Sequence, residues 1–417
     1  MIRSLTIGLP VGDQSESKIE SETSHLIEVA VKAFKENEIA SRTIRYSLPP
    51  VGLEGESEGF VISILNWVDR LAEKTGVRWF CLPLDFVADG SRVERLSVSL
   101  NAISQFQKMF LNLMVADKSS LSMGAIGDAA KLISQISHKS NSGFDNFRVG
   151  ASCGCPPNAP FFPFSHHKGQ SVAFSFALEL TDLAIDVLNR YGKSVRIDCF
   201  RDQLVEEISV ALRKLNELGE RIASESSCEY KGLDASFAPF PNGETSVAKI
   251  VEGLLGAPIG SHGSVFVTGL LTDAIRAALI NSEVASVGFN GVMFSLLEDD
   301  ALASANSRRC LSLDGLIALS SMCGCGIDMV PVPGASFPEE IAALIMDIAA
   351  MSLSLKKPLG VRVLPIPGGM ANEHTEFNFD FLCDSRIVGL SSNERSILSD
   401  EDSFGLLAPS RLSQDQR

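Results

Sequence analysis

Residues 3–50, RSLTIGLPVGDQSESKIESETSHLIEVAVKAFKENEIASRTIRYSLPP, decide the fold. Residues 3–8 read as a strand. Residues 20–36 set Leu26, Ala30, Ala33 and Phe34 at helical spacing, so one face of that segment seeks a core. Residues 42–48 alternate as a second strand and stop at Pro49-Pro50, which cannot continue a ladder. Strand, helix, strand in close succession is the repeating unit of an α/β protein with a buried, largely parallel sheet.

The unit recurs along the chain. Strands are expected at 77–84, 147–151, 195–200, 232–238, 286–297, 359–365 and 385–390, and helices at 59–73, 180–189, 202–224, 265–278, 313–322 and 338–355. No shift in composition marks a linker. Residues 1–390 are therefore expected to form a single large α/β domain. Residues 391–417, rich in Ser and Asp and poor in apolar residues, are expected to be a mobile tail.

The 417 residues, 45% hydrophobic and 21% charged, suffice for a large core. A formal charge of -15 argues against a nucleic-acid partner, because phosphate binding needs a basic surface. The opening MIRSLTIGLPVGD reads as strand and turn rather than as a secretory leader. No run reaches the roughly 18 consecutive apolar residues of a membrane span. Nine cysteines, an odd and unevenly spaced set, suit free thiols in a reducing, cytoplasmic compartment. Nucleotide motifs fail. Gly192-Lys193-Ser194 ends like a phosphate loop, but Val187 stands where its first Gly belongs. Gly169-Gln170-Ser171-Val172-Ala173 lacks the last Gly of a nucleophile elbow. No nucleotide cofactor is expected.

Four cysteines fall in two Cys-Gly-Cys triplets, Cys153-Gly154-Cys155 and Cys323-Gly324-Cys325, each at a junction between an extended run and turn residues. If the fold joins them, they make a four-thiol site able to hold zinc or an iron–sulfur cluster. If it does not, each is a small-residue turn with incidental thiols.

The chain resembles the DUF711 family, also called UPF0210. The resemblance rests on Arg3-Ser-Leu-Thr-Ile-Gly-Leu9, Arg42-Thr-Ile-Arg45, Phe147-Arg-Val-Gly-Ala-Ser152, Pro160-Phe-Phe-Pro163 with His167, and Gly232-Leu-Asp-Ala-Ser236. It continues through Leu297-Glu-Asp299, Cys323-Gly with Gly326-Ile-Asp328, Val332-Pro-Gly334, Arg362, Pro365-Ile-Pro-Gly368, Thr375-Glu-Phe377 and Asp384-Ser-Arg386. It implies a ten-stranded α/β barrel of the pyruvate formate-lyase class. It does not imply radical chemistry, since no Arg-Val-x-Gly-Tyr segment occurs near the C-terminus. In the family pattern the position of Cys323 is usually Cys, whereas Cys153, Cys155 and Cys325 stand where Ala, an aliphatic residue and Thr are usual. Ala335 replaces a usual Asp. The coordinated gain of thiols suggests that both triplets share a pocket.

Candidate residues follow. Cys323 is a nucleophile if a cation lowers its pKa, with His167 as the expected acid/base partner. Asp328 enters an apolar strand and needs a cation, which Arg362 or Arg386 would supply. Arg362, Arg386 and Glu376 are expected at a site for an anionic substrate. Cys153, Cys155, Cys323 and Cys325 are the alternative metal ligands. Each has a bland counterpart: a packed thiol, a hydrogen-bonded loop histidine, a structural ion pair. Glu298-Asp299-Asp300 reads as an acidic cluster at a helix start; Glu179 ends the apolar run 172–178, which leaves a pocket role open beside the default of a cap or solvent-facing residue. The leading expectation is an enzyme acting on a small anionic metabolite, in a chain free to form a homo-oligomer. A metal-holding protein and a non-catalytic sensor remain the alternatives.

Overall fold

A computed structural model of the chain describes residues 1–11, 15–51, 58–87, 92–140, 143–191, 196–377, 379–391 and 403–404. Strands β1 (Ile2–Gly8), β2 (Ser41–Ser47), β3 (Trp79–Asp85), β4 (Met109–Ala116), β5 (Leu121–Ser122), β6 (Val149–Cys153), β7 (Ala173–Leu178), β8 (Glu229–Asp234), β9 (Gly326–Pro333), β10 (Leu359–Ile366) and β11 (Ser403–Phe404) share one sheet. The helices are α1 (Glu16–Glu36), α2 (Glu58–Thr75), α3 (Arg92–Gln105), α4 (Met123–Ser137), α5 (Thr181–Tyr191), α6 (Ile197–Ser226), α7 (Val247–Leu255), α8 (Ser264–Ser282), α9 (Asp300–Ser307), α10 (Leu313–Ser320) and α11 (Pro338–Leu355).

The sheet runs β8-β7-β1-β2-β3-β4-β6-β10-β9. β1, β2, β3, β4 and β6 are mutually parallel, and β7 and β10 run parallel to β8 and β9 respectively. The groups meet antiparallel at β1/β7 and β6/β10. Near-continuous burial of β1, β3, β4, β7, β9 and β10 is what a sheet covered on both faces requires. α1 begins earlier than its apolar spacing suggests because the Ser15 side chain accepts the Lys18 N–H as N-cap. α8 has the length and apolar composition of a membrane span, but it lies against α6 with Val267, Leu271 and Ile275 buried.

Three expected strands change character. Of the strand expected at 195–200, residue 195 lies outside the described residues, Arg196 is the N-cap of α6 and 197–200 belong to that helix, whose apolar stripe from Phe200 through Leu204, Ile208 and Leu212 outweighs the short alternation. Residues 286–297 form no ladder. Gly288 (φ 79°) and Asn290 (φ 51°) kink the segment, and the Asp234 carboxylate takes the Phe289 and Asn290 N–H groups at 2.7 and 3.0 Å. Single parallel bridges still tie it to β8 and its continuation (Leu233↔Ser286, Phe237↔Val292) and to β9 (Ser295↔Asp328). Residues 385–390 make one bridge, His374↔Arg386, and donate Val388 N–H to Pro331 at 2.8 Å. Gly192–Ser194 and the expected tail lie outside the described residues, except for Ser391 and for β11, which pairs with β5.

A segment without regular structure, Pro160–Ser165, is gripped by six successive strands of the sheet path. Thr6 and Ser4 donate to the Pro160 carbonyl at 2.9 and 3.3 Å. The Cys81 thiol donates to Pro163 O, Asn112 to Ser165 O, and the Ser165 hydroxyl to that of Ser47. The Phe164 ring fills the space that a Cβ on Gly150 or Gly360 would occupy, 2.5 and 2.4 Å away. Aromatic bulk and glycine are thus complementary across this contact.

Candidate functional site

Three strands bring one guanidinium each to the same cavity: Arg3 from β1, Arg45 from β2 and Arg362 from β10. Asp328 of β9 and Glu298, just before α9, bring two carboxylates. The cavity encloses about 70 Å³ and is partly open to solvent. Its apolar walls are aromatic, with Phe162 and Phe164 from the gripped segment and Trp79, Phe110, Phe147 and Phe289 around them.

Asp328 reaches this cavity through a bulge. Val361 pairs with Ile327 and Val363 with Val330, so two residues of β9 oppose Arg362 alone. Met329 absorbs the extra residue at φ 53°, a conformation costly for a non-glycine side chain. The Arg362 fork then closes on Asp328, Nε to Oδ1 at 2.6 Å and Nη2 to Oδ2 at 2.8 Å. Nη2 also donates to Glu298 Oε2 at 3.3 Å, and Nη1 to the Phe147 carbonyl at 3.2 Å. Ser295 donates to Glu298 Oε2 at 2.6 Å. Arg3 pairs with Glu298 at 3.4 Å and with Glu179 at 2.7 Å, and Arg42 donates to both oxygens of Glu179 at 2.8 and 2.9 Å.

Burial works to raise Glu298, but Arg362 and Arg3 outweigh it and hold it below the usual carboxylate range. Burial and the neighbouring Glu298 push Asp328 up against the pull of Arg362. The bidentate geometry is that of an ionised carboxylate. Arg45 differs. Its Nε donates to Thr43 Oγ1 at 2.9 Å, and its guanidinium stands 5.1 Å from the Phe162 ring centroid. Among the described residues no carboxylate pairs with it. Burial, then repulsion from Arg3, lowers its pKa to about 9, so at neutral pH it remains a cation held at a cost.

Of the four triplet thiols only Cys325 lines the cavity, so the expected pocket walled by both triplets is corrected to one with a single cysteine. The triplets flank β10: Cys153 pairs with Leu359, and the Cys325 carbonyl accepts the Gly360 N–H at 2.8 Å. Gly324 packs backbone to backbone on Gly291: a Cβ on Gly324 would sit 3.1 Å from the Gly291 Cα, a tight contact. Cys323 accepts the Gly326 N–H at 3.4 Å. The Lys357 ammonium donates to the Ser321 carbonyl at 3.1 Å and to that of Cys323. The neighbouring Cys325 thiol, then the Lys357 ammonium, lower Cys323 to about 6 against burial, while Cys323 and burial raise Cys325 well above its ordinary value; the Cys325 thiol itself donates to the Gly326 carbonyl at 3.8 Å. Burial pushes Cys153 up to about 12 and Cys155 well above its ordinary value. Among the described residues no group of three or more His, Cys, Asp or Glu is gathered as a metal site. The four-thiol alternative therefore lacks a donor set.

The structure separates His167 from Cys323. His167 lies in a separate, smaller polar hollow with Thr6, Asn158 and Lys231. Its Nδ1 meets Asn158 Oδ1 at 3.1 Å, and among the described residues its buried Nε2 has no hydrogen-bond partner. Burial, then Lys231, lowers it to about 4. The expected Cys323–His167 pair is replaced by Cys323 with Cys325 and Lys357. Arg386 also leaves the site: its fork holds Asn306 O and Oδ1, both at 2.9 Å. Glu376 is exposed and does not line the cavity. Both were placed by proximity in sequence to late strands, but the segment carrying them is held on α9, with the Ser385 hydroxyl donating to Ala303 O and the Asn306 amide to Arg386 O.

Arg3, Arg45, Glu179 and Glu298 were not singled out as site residues. Their signal was a charged side chain inside or just beyond an apolar strand, since a cation in a sheet covered on both faces demands an anion. The acidic triplet divides its work. Glu298 faces the cavity, whereas Asp299 caps α9 through Ala301 and Leu302 and receives Val247 and Ala248 N–H at the start of α7.

Residues 1–384 match the family model described as "Uncharacterised ACR (DUF711)". A UPF0210 protein of Pyrobaculum aerophilum is 28% identical over 406 residues, covering 89% of this chain and 86% of that protein. UPF0210 proteins of Pyrobaculum arsenaticum (27% over 364 residues; 83% and 80%) and Thermoanaerobacter sp. (27% over 403 residues; 90% and 88%) are similar.

Proposed function

The chain belongs to the DUF711 (UPF0210) family, and from that premise we propose that its cavity binds a small anionic metabolite on Arg45 and acts on it with the Cys323–Cys325 pair. One observation carries the reading: the Arg45 guanidinium stands on the wall of an aromatic cavity, and among the described residues no carboxylate is ion-paired with it. Two other guanidiniums in the same cavity are already matched to carboxylates. A buried cation without a counter-charge is costly, and an incoming anion removes that cost. The thiol pair supports an enzyme over a sensor, because Cys325 meets the ligand space and Cys323 ionises easily beside it.

We also propose that the sheet closes into a ten-stranded barrel, with residues 286–295 as the tenth strand. Support comes from the single bridges of that segment to both sheet edges and from the six strands wrapped around Pro160–Ser165. The two antiparallel junctions fit the pyruvate formate-lyase class.

The test is thermal unfolding of the full chain at low salt with a panel of small carboxylates and phosphates. At least one should raise the wild-type midpoint, and that rise should vanish in Arg45→Gln. A panel without effect on wild type, or an equal effect on the variant, overturns the reading. Turnover of the bound anion, lost in Cys323→Ser or Cys325→Ser, distinguishes an enzyme from a sensor.

A further inference from the structure

We infer that the ligand is a monoanion with an aromatic or branched apolar body, of the aryl- or alkyl-monocarboxylate class. This rests on the anion reading above and narrows it by charge and shape. The cavity wall carries three guanidiniums and two carboxylates, which leaves one positive charge. The adjoining Arg42–Glu179 pair adds none. A monoanion brings the wall to neutrality. A dianion would overshoot it beside Glu298 and Asp328, and a neutral ligand would leave Arg45 uncovered.

The donor geometry points the same way. Arg45 uses Nε on Thr43, and among the described residues its two Nη groups have no hydrogen-bond partner. Two parallel N–H donors match the two oxygens of one carboxylate. The aromatic wall begins directly beside that fork. Arg45 lies over Phe162; Phe110 stands 5.4 Å from Phe162, 5.3 Å from Phe147 and, edge to face, 5.4 Å from Trp79. A carboxylate seated on Arg45 therefore carries its body across Phe110, where apolar area and ring contacts favour it.

Calorimetric titration of the full chain with four probes tests this: 3-phenylpropionate, acetate, 3-phenylpropionamide and phenyl phosphate. 3-Phenylpropionate should bind at least about tenfold tighter than each of the other three. Glu298→Gln raises the wall's charge by one and should move the preference toward phenyl phosphate, a change that a merely structural role for Glu298 would not produce. Acetate or phenyl phosphate binding as tightly as 3-phenylpropionate, with binding lost in Arg45→Gln, overturns this inference and leaves the anion reading standing. Equal binding of the amide overturns the role of charge. No binding of any probe, together with an inert small-anion panel, ends both.

Discussion

Replacing Arg45 by Met should stabilise the ligand-free protein. Arg45 is only partly exposed, and burial, then Arg3, depresses its pKa from the usual guanidinium range to about 9. At about 1.4 kcal/mol per unit, the charged form carries an upper-bound penalty of about 5 kcal/mol. Partial solvent screening removes roughly half of it. Losing the hydrogen bond to Thr43 and the stacking on Phe162 costs a further ~1 kcal/mol. Methionine keeps most of the apolar stem, so the net gain is about 1–2 kcal/mol. The sign with pH is fixed. The folded pKa is the lower one, so the unfolded chain binds the extra proton only from about pH 9 up to the usual guanidinium range, and the gain is constant at neutral pH. Urea unfolding at low salt should show a higher midpoint with an unchanged slope. Anions that stabilise the wild type should leave the variant unmoved. A variant less stable than wild type by about 1 kcal/mol or more, at equal slope, would mean that Arg45 is already paired and would refute the reasoning.

Three further outcomes are expected. Arg362→Met strands Asp328 and Glu298 and should cost about 3–5 kcal/mol, much of it recovered in Arg362→Met with Asp328→Leu; additive losses in a double-mutant cycle would contradict the pairing. His167 is held at about 4 against 6.5 for the free side chain, so the unfolded state takes up the proton first and stability falls as pH drops from 6.5 towards 4. From pH 7 to 5 this group should contribute a loss of about 2 kcal/mol, read as a shallower acid dependence of urea unfolding in His167→Gln. Thiolate ultraviolet absorbance should show one cysteine ionising near pH 6, absent in Cys323→Ser and moved upward in Lys357→Met; a wild-type titration with no step below the usual thiol range would remove the nucleophile.

The sequence by itself determined the alternation of strands and helices, the single α/β domain and the family, because periodicity and turn residues act over short stretches of chain. Leu26, Ala30 and Phe34 mark α1 whatever surrounds it, and the apolar runs of β1, β3 and β10 announce a sheet covered on both faces. It also marked Asp328 as needing a cation, with Arg362 or Arg386 to supply it, since a carboxylate in a buried strand must find one. Only the tertiary structure decided which cation faces which anion. The bulge at Met329 aims Asp328 at Arg362, while Arg386 turns away to Asn306. Likewise only packing set Cys325, and not its three triplet companions, on the cavity wall and took His167 to a separate hollow. Local pattern fixes which face of an element is buried. The direction of a charged side chain depends on strands far apart in sequence, and the vacant charge at Arg45 exists only once Arg3, Glu298, Asp328 and Arg362 have met.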